Sequence, residues 1–194
     1  MPEARPERAD AARNRRAILA AAERLFTEHG PDHVSIEQIA AEAGVGKATV
    51  FHRFGNRNEL VRAVVFEHAN ALREAVLDAP PPLGPGAPAG ERLVAFLLAF
   101  AHLIVDRPAL IAAYDAGAPD ERADELHRFW YDHLSALITE VRPDMDPDGA
   151  AVLLLGMVAG AARPLAAGGE RAERIVDSIE TVTRAIVGDV TRSL

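Results

Sequence analysis

The sequence predicts an all-α fold in which a three-helix N-terminal domain precedes a larger helical domain. Aromatic residues make up only 5% of the 194 residues, and alanine is abundant. Alanine is the best helix former, whereas strands favour β-branched and aromatic residues. Apolar residues recur at spacings of three and four, and the chain shows neither a strand pattern nor an internal repeat.

The N-terminal region divides into a polar arm and a first helix. Residues 1–12 are polar and are expected to form a disordered arm. A helical pattern starts near Arg13, and its apolar positions share one face: Ile18, Ala22, Leu25 and Phe26. This helix should end at Gly30, because glycine is the usual C-terminal signal and a proline follows immediately.

Two short helices are predicted next. Ser35 can cap the first of them, since Gln38 follows three residues later in the capping-box position. Gly44 ends this helix, and residues 47–54 form the second. An asparagine at 56 or 58 can then cap a long helix that runs to about Leu77.

The two short helices have the spacing of a helix-turn-helix. Helices that cross closely need a small residue at the crossing and a residue tolerant of positive φ in the turn. Ala40 and Gly44 meet these needs, and Val45 and Val50 fill the angle between the helices. We therefore assign residues 13–57 to a helix-turn-helix DNA-binding domain, whose second helix would enter the major groove.

The remaining residues, 58–194, form the larger helical domain. A loop rich in proline and glycine interrupts it at residues 79–90, since this density of both residues forms no regular element. Beyond the loop, the pattern predicts five helices, at about 91–106, 108–117, 120–142, 147–167 and 170–191.

Charge is distributed unevenly along the chain. The net charge is −8, but residues 1–57 contain nine basic and eight acidic residues, whereas the remainder contains twelve and twenty-one. A surface that binds nucleic acid must therefore lie near the N-terminus.

The polar face of the second short helix fits this role, because Thr49, His52, Arg53 and Asn56 share one side. An ordinary solvated face of a helical corner would also be polar, so this spacing leaves both interpretations open.

Other functional classes find little support. The chain has no cysteine, which excludes disulfides and thiolate zinc sites, and its seven histidines show no ligand spacing. We expect no metal, no cofactor and no membrane span. The lack of cysteine and of a signal-like apolar N-terminus fits a cytoplasmic protein. No motif of an enzyme is present. A helical protein-interaction or structural module without specific DNA binding remains the alternative.

The stretch AAEAGVGKATVFHRFGNRNEL resembles the DNA-binding signature of TetR-type transcriptional regulators, and RNRRAILAAAERLFTEHG is similar to the first helix of that family. The resemblance covers about residues 13–65. It implies a repressor that a small molecule releases from a palindromic operator in double-stranded DNA.

The resemblance also implies roles for individual residues. Ser35 and Arg57 would contact phosphate, and Lys47 and Thr49 would lie at the start of the recognition helix. His52 and Arg53 would meet backbone and base edges.

Phe51 replaces the usual tyrosine and retains only an apolar contact, for example with a thymine methyl. Gly46 replaces the common serine and receives no base contact. Arginines 13, 15 and 16 reach phosphate or the minor groove, or else form a solvated helix start.

Residues of the larger domain are assigned to an effector site and a dimer face. Scarce aromatic and polar residues in its middle would line a pocket for an apolar or aromatic ligand: Phe100, Tyr114, Trp130, His133 and Met157. A core stripe is the alternative for these positions. The resemblance implies a homodimer through about residues 147–191, where small residues and an apolar helix face occur together. Packing within one chain is the alternative there.

Overall fold

The computed structural model describes residues 4–117, 121–160 and 170–188. Helices are the regular elements of this part of the chain, and it contains no strand. The helices are α1 (Ala4–His29), a 3-10 turn (Pro31–His33), α2 (Ile36–Glu42), α3 (Lys47–Phe54), α4 (Arg57–Asp78), α5 (Ala89–Val105), α6 (Pro108–Asp115), α7 (Glu121–Val141), α8 (Pro147–Gly160) and α9 (Glu170–Gly188). The predicted all-α fold is confirmed.

Helix α1 begins at Ala4, although residues 1–12 were expected to be a disordered arm and the helix to start near Arg13. The expectation rested on polarity alone. Alanine, glutamate and arginine, which dominate this stretch, all have high helix propensity. Pro6 lies in the first turn, where its missing N–H removes no helical hydrogen bond. A polar segment with this composition can therefore extend the helix.

The chain forms two compact units that differ from the predicted division at residue 58. The first unit contains Met1–Glu67 together with Ala109–Gly117, and the second contains His68–Pro108 and Ala118–Leu194. The first half of α4 and most of α6 thus belong with the helix-turn-helix. Within this unit, the rings of Phe66 on α4 and Tyr114 on α6 meet edge to face, with their centroids 6.0 Å apart.

The first unit has a small apolar core of its own. Its most deeply buried side chains come from α1, α2, α3 and α4, and they include Ile18, Phe26, Ile39, Val50 and Leu60. Burial of each such side chain stabilises the fold by roughly 1.5–3 kcal/mol. Gly30 ends α1 at a φ of 80°, a left-handed conformation that glycine adopts without steric cost. This core determines which faces of α2 and α3 remain outside.

The second unit is a helical bundle centred on α5. Helix α5 packs against α7, α8 and α9, and α7 packs against α8. The core contains Leu93, Phe96, Leu97, Trp130 and Leu134, each at most 1% exposed. Gly90 permits α5 to approach α9, because a Cβ there would lie 2.7 Å from a methyl group of Val187.

Helices α5 to α9 begin within two residues of their predicted positions where they are described. The predicted ends of the last two helices, at 167 and 191, lie outside the described residues. In that part of the chain, no single helix is long and apolar enough to cross a membrane, and only α5 and α6 joined as a bent pair meet the requirement of length and composition.

Candidate nucleic-acid interface

The turn between α2 and α3 is held by local hydrogen bonds. The Gln38 N–H donates to Ser35 Oγ at 3.2 Å, and the Ser35 N–H donates to Gln38 Oε1 at 2.8 Å, which completes a capping box. Gly44 ends α2 at a φ of 65°, and the Val45 N–H donates to the carbonyl oxygen of Ala40 at 3.0 Å. The predicted cap and turn are therefore confirmed, and they set the angle between α2 and α3.

Packing at the crossing of these helices leaves one side of α3 outside. Ala40 on α2 is 3% exposed and Val50 on α3 is completely buried. A small side chain of α2 and a branched side chain of α3 therefore fill the crossing. Phe51, His52 and Arg53 lie on the exposed side, and Thr49 is half-buried at its margin. Phe51 exposes 43% of its area, which is unusual for so large an apolar side chain.

The polar members of this exposed side differ in how they are engaged. Within the described part of the chain, the side chains of His52 and Arg53 make no hydrogen bond or ion pair with another residue. Asn56 instead caps α4, because its Oδ1 accepts a hydrogen bond from the Glu59 N–H at 3.0 Å. Its spacing places Asn56 with the polar face, but its carboxamide oxygen is already engaged by the main chain of α4.

Lys47 is held at the start of α3 by two neighbours. Its ammonium group forms an ion pair with the carboxylate of Glu37 on α2, and it lies 5.5 Å from the centroid of the Phe51 ring. The hydrogen bond from Lys47 holds the pKa of Glu37 below its usual value. All of these side chains remain exposed, so the ion pair is screened by solvent and can exchange partners.

Two further residues that were expected to contact phosphate also have partners inside the protein. Arg57, in the first turn of α4, donates hydrogen bonds to the main-chain oxygen and the carboxylate of Asp32. The Ser35 hydroxyl donates to Gln38 Oε1 at 2.9 Å, so its proton is engaged by the capping box. A phosphate that binds either group must compete with these bonds.

The arginines of α1 are similarly engaged. Arg13 forms an ion pair with Asp10, and Arg15 pairs with Glu67 at 3.1 Å and lies over the Phe54 ring. Arg24 joins α1 to α2 through Glu42. These ion pairs favour the alternative interpretation for Arg13 and Arg15, in which they belong to a solvated helix start and do not contact DNA.

In the second unit, the predicted ligand residues Phe100, Trp130 and His133 belong to one aromatic cluster. Trp130 is 1% exposed, and its ring centroid lies 5.4 Å from that of Phe96 and 5.9 Å from that of Phe100. His133 packs on Phe96 at 5.1 Å, and the cluster also includes Phe129. Met157 is half-buried on α8. Tyr114 belongs to the other unit, so the predicted set does not lie within one unit.

Two buried polar atoms accompany this cluster. Burial, assisted by the nearby positive charge of Arg92, lowers the pKa of His133 to about 4, so the imidazole is neutral at pH 7. Among the described residues, Nε2 of His133 and Nε of Arg92 are buried and have no hydrogen-bond partner. Arg92 was missed at the level of sequence, although its position four residues before Phe96 puts both residues on one face of α5.

The described histidine, aspartate and glutamate residues form no group of three or more that could hold a metal ion.

Each unit has a cavity, and the two differ in volume and lining. A cavity of about 560 Å³ in the first unit lies between the 3-10 turn, the start of α4 and the alanine face of α6. A smaller one of about 290 Å³ in the second unit is bordered by α4 and the end of α5.

Comparisons with known proteins agree with this geometry. Residues 18–64 match the family described as bacterial regulatory proteins, tetR family. The chain is 32% identical over 179 residues to the HTH-type transcriptional repressor LfrR from Mycolicibacterium smegmatis, and the alignment covers 87% of each chain. It spans about half the length, 49%, of two other curated relatives, which are regulators of Mycobacterium tuberculosis.

Solved structures share the fold over most of the chain. A TetR/AcrR-family regulator from Thermobifida fusca is 25% identical, with a TM-score of 0.66, and the match covers 88% of this chain and 94% of that one. AibR in complex with isovaleryl coenzyme A and operator DNA has the same fold, at 24% identity and a TM-score of 0.61, over 88% and 97% of the two chains. The helix-turn-helix geometry, the matched residues and the similarity to LfrR over 87% of each chain lead to one conclusion: the chain belongs to the TetR family of bacterial regulatory proteins.

Proposed function

We propose that this regulator is a repressor that binds a palindromic operator as a homodimer and leaves it when a small molecule binds the second unit. The observation that carries the proposal is the exposed side of α3, where His52 and Arg53 have no partner among the described residues and lie beside the exposed ring of Phe51. Base readout is favoured by side chains that can form new hydrogen bonds without breaking old ones. Because the proposed partner is DNA, we place the protein in the cytoplasm.

The side chains of α2, α3 and α4 divide into two roles in this proposal. Arg53 and His52 read base edges, and Phe51 and Thr49 add apolar and hydroxyl contacts. Lys47, Ser35 and Arg57 bind phosphate, which positions the helix but does not by itself specify sequence. The existing partners of these last three residues are consistent with such a role, since phosphate can replace an exposed carboxylate or amide as hydrogen-bond acceptor.

An exposed stripe on α8 and one exposed apolar residue on α9 support the homodimer. On α8, five exposed apolar or small residues share one side: Val152, Leu153, Gly156, Ala159 and Gly160. Leu153 exposes 75% of its area, and Val182 on α9 exposes 45%. Small residues permit close approach of helices, and large exposed apolar side chains are typical of interaction surfaces. In contrast, Ile179 was expected on the dimer face but is 3% exposed within the single chain.

The aromatic cluster of the second unit supports a small-molecule site. Trp130 and Phe96 are its buried members, while Phe100, Phe129 and His133 are only half-buried. An apolar surface with a few polar atoms is the usual form of a ligand site. Release from DNA then requires that the ligand prefer a conformation whose recognition helices do not fit successive major grooves.

The decisive experiment is selection of bound duplexes from a random pool, followed by a screen for compounds that release the selected duplex. The proposal requires an enriched palindrome whose half-sites are about one helical turn apart. Enrichment of no sequence, with equal affinity for all duplexes, would instead indicate that the protein is not a sequence-specific repressor.

A further inference from the structure

We propose that Arg92 and His133 form an anion-recognising end of the effector site, which therefore takes a carboxylate carried on an apolar or aromatic body. The inference deepens the function proposed above and rests on it. It starts from the two polar atoms, Arg92 Nε and His133 Nε2, that are buried at the aromatic cluster without a partner in the described residues. A buried donor without an acceptor costs free energy. Arg92 Nε is always a donor, and His133 Nε2 is one in the tautomer that carries its proton there, so these atoms favour a ligand that supplies an acceptor.

The location of the two residues defines the shape of the ligand. Arg92 and Phe96 lie one turn apart on α5, and His133 on α7 packs edge to face against Phe96 with centroids 5.1 Å apart. Beyond Phe96 lie the rings of Phe100 and Trp130. A ligand with its charge at Arg92 and its body along the half-buried rings of Phe100 and Phe129 would cover both kinds of surface.

Charge favours an anion over a neutral or cationic ligand. Arg92 lies near enough to the imidazole to oppose its protonation, and Arg73 lies over the Phe129 ring at 5.1 Å. Two guanidinium groups thus flank one aromatic cluster and supply local positive charge, against the net charge of −9 that residues 58–194 carry as a whole. Arginine binds carboxylates through planar, charge-assisted hydrogen bonds, whereas a neutral amide supplies a weaker acceptor.

The test compares acids with their uncharged amides. We would titrate the 194-residue chain with benzoate and benzamide, phenylacetate and phenylacetamide, and 2-naphthoate and 2-naphthamide, using calorimetry at pH 7. Each acid and its amide have almost the same size, so their ratio isolates the charge. At least one acid should bind about 10-fold or more tightly than its amide and should shift the indole N–H resonance of Trp130, the single tryptophan.

Matched variants locate the effect. Arg92→Met should reduce the preference for the acid to nearly one, whereas Arg73→Met, which removes a guanidinium from the same cluster, should retain most of it. Arg92→Lys keeps the charge and stem, and its preference should fall between wild type and Arg92→Met; it also serves if Arg92→Met unfolds. Acids and amides that are bound equally, or not at all, would overturn the assignment, as would a preference that survives in both Arg92 variants.

Operator release is measured separately, by anisotropy of a labelled duplex. An acid that binds with a preference dependent on Arg92 but leaves DNA bound would support the anion site and contradict the proposed induction. Release by compounds that ignore Arg92 would have the opposite meaning, because the repressor function would stand and the anion site would not.

Discussion

The guanidinium group of Arg57 is bonded to both the main chain and the side chain of Asp32: one nitrogen lies 2.9 Å from the carbonyl oxygen and another 3.1 Å from the carboxylate. The pair therefore ties the start of α4 to the turn that precedes α2. The Asp32 side chain is 82% exposed, whereas that of Arg57 is 37% exposed. An incoming phosphate would compete with Asp32 for the same cation.

Substitutions of this pair should change DNA affinity in opposite directions. Asp32→Asn removes a negative charge and weakens the bond to Arg57, so affinity for every duplex should rise. Arg57→Ala should lower it and reduce the slope of log affinity against log salt by about one. Anisotropy titrations at several salt concentrations measure both. Equal losses in the two variants would mean that Arg57 only braces the turn.

Removing the charge of Glu37 should also strengthen DNA binding. Glu37→Gln releases the ammonium group of Lys47 at the start of α3, so affinity should increase and its salt dependence should steepen. Glu42→Gln is the matched control, because Glu42 has the same charge on the same helix but pairs with Arg24 on α1. If the two variants gain equally, net charge alone accounts for the effect and Lys47 has no special position.

The aromatic cluster should lose stability in mild acid. The folded pKa of His133, about 4, lies below its unfolded value of 6.5, so the unfolded chain binds more protons between these values. Stability from this group is therefore complete above pH 6.5 and decreases as the pH falls toward 4, by at most about 3 kcal/mol. Urea unfolding at pH 7 and pH 5 measures the loss.

His133→Phe retains a ring at this position and has no proton to bind. The variant should lose less stability than wild type between pH 7 and pH 5, after the shared effect of carboxylate protonation is subtracted. Identical losses in the two proteins would show that the imidazole accepts its proton as readily in the folded state as in the unfolded chain.

Two aspartate substitutions should separate dimer contacts from the core. Leu153→Asp puts a charge on the exposed stripe of α8, so it should give folded monomers that bind the operator weakly. Ile179→Asp buries a charge within one chain and should destabilise the fold itself, by several kcal/mol. Sedimentation and thermal unfolding distinguish these outcomes. A wild-type monomer at micromolar concentration would contradict the proposed dimer, as would a Leu153→Asp dimer.

The parts of the fold that sequence reasoning predicted are those with local causes. Ser35 and Gln38 are three residues apart and Gly44 has a conformational requirement of its own, so the bounds of α2 and α3 followed from neighbouring residues. The predicted range of α3, residues 47–54, agrees with the structure. The first helix begins earlier than predicted, because its polar N-terminal residues have high helix propensity.

The parts that sequence reasoning missed depend on contacts between distant segments. Nothing near Arg57 indicates that Asp32, 25 residues earlier, accepts its hydrogen bonds. The sequence likewise does not show that Tyr114 falls in the first unit and packs on Phe66, whereas the other predicted ligand residues fall in the second unit. Exposed charged side chains offer many partners of similar energy, and the sequence does not choose among them.

The unit that contains the helix-turn-helix is discontinuous in sequence, because most of α6 belongs to it. The backbone crosses between the two units after residues 67, 108 and 117, so the unit that contains the helix-turn-helix is not one continuous segment. A truncated protein that ended at residue 67 would leave the Phe66 ring without Tyr114. Chimaeras that exchange the helix-turn-helix unit between such regulators should therefore include residues 109–117. Without them, the surface that α6 covers would have to be repacked.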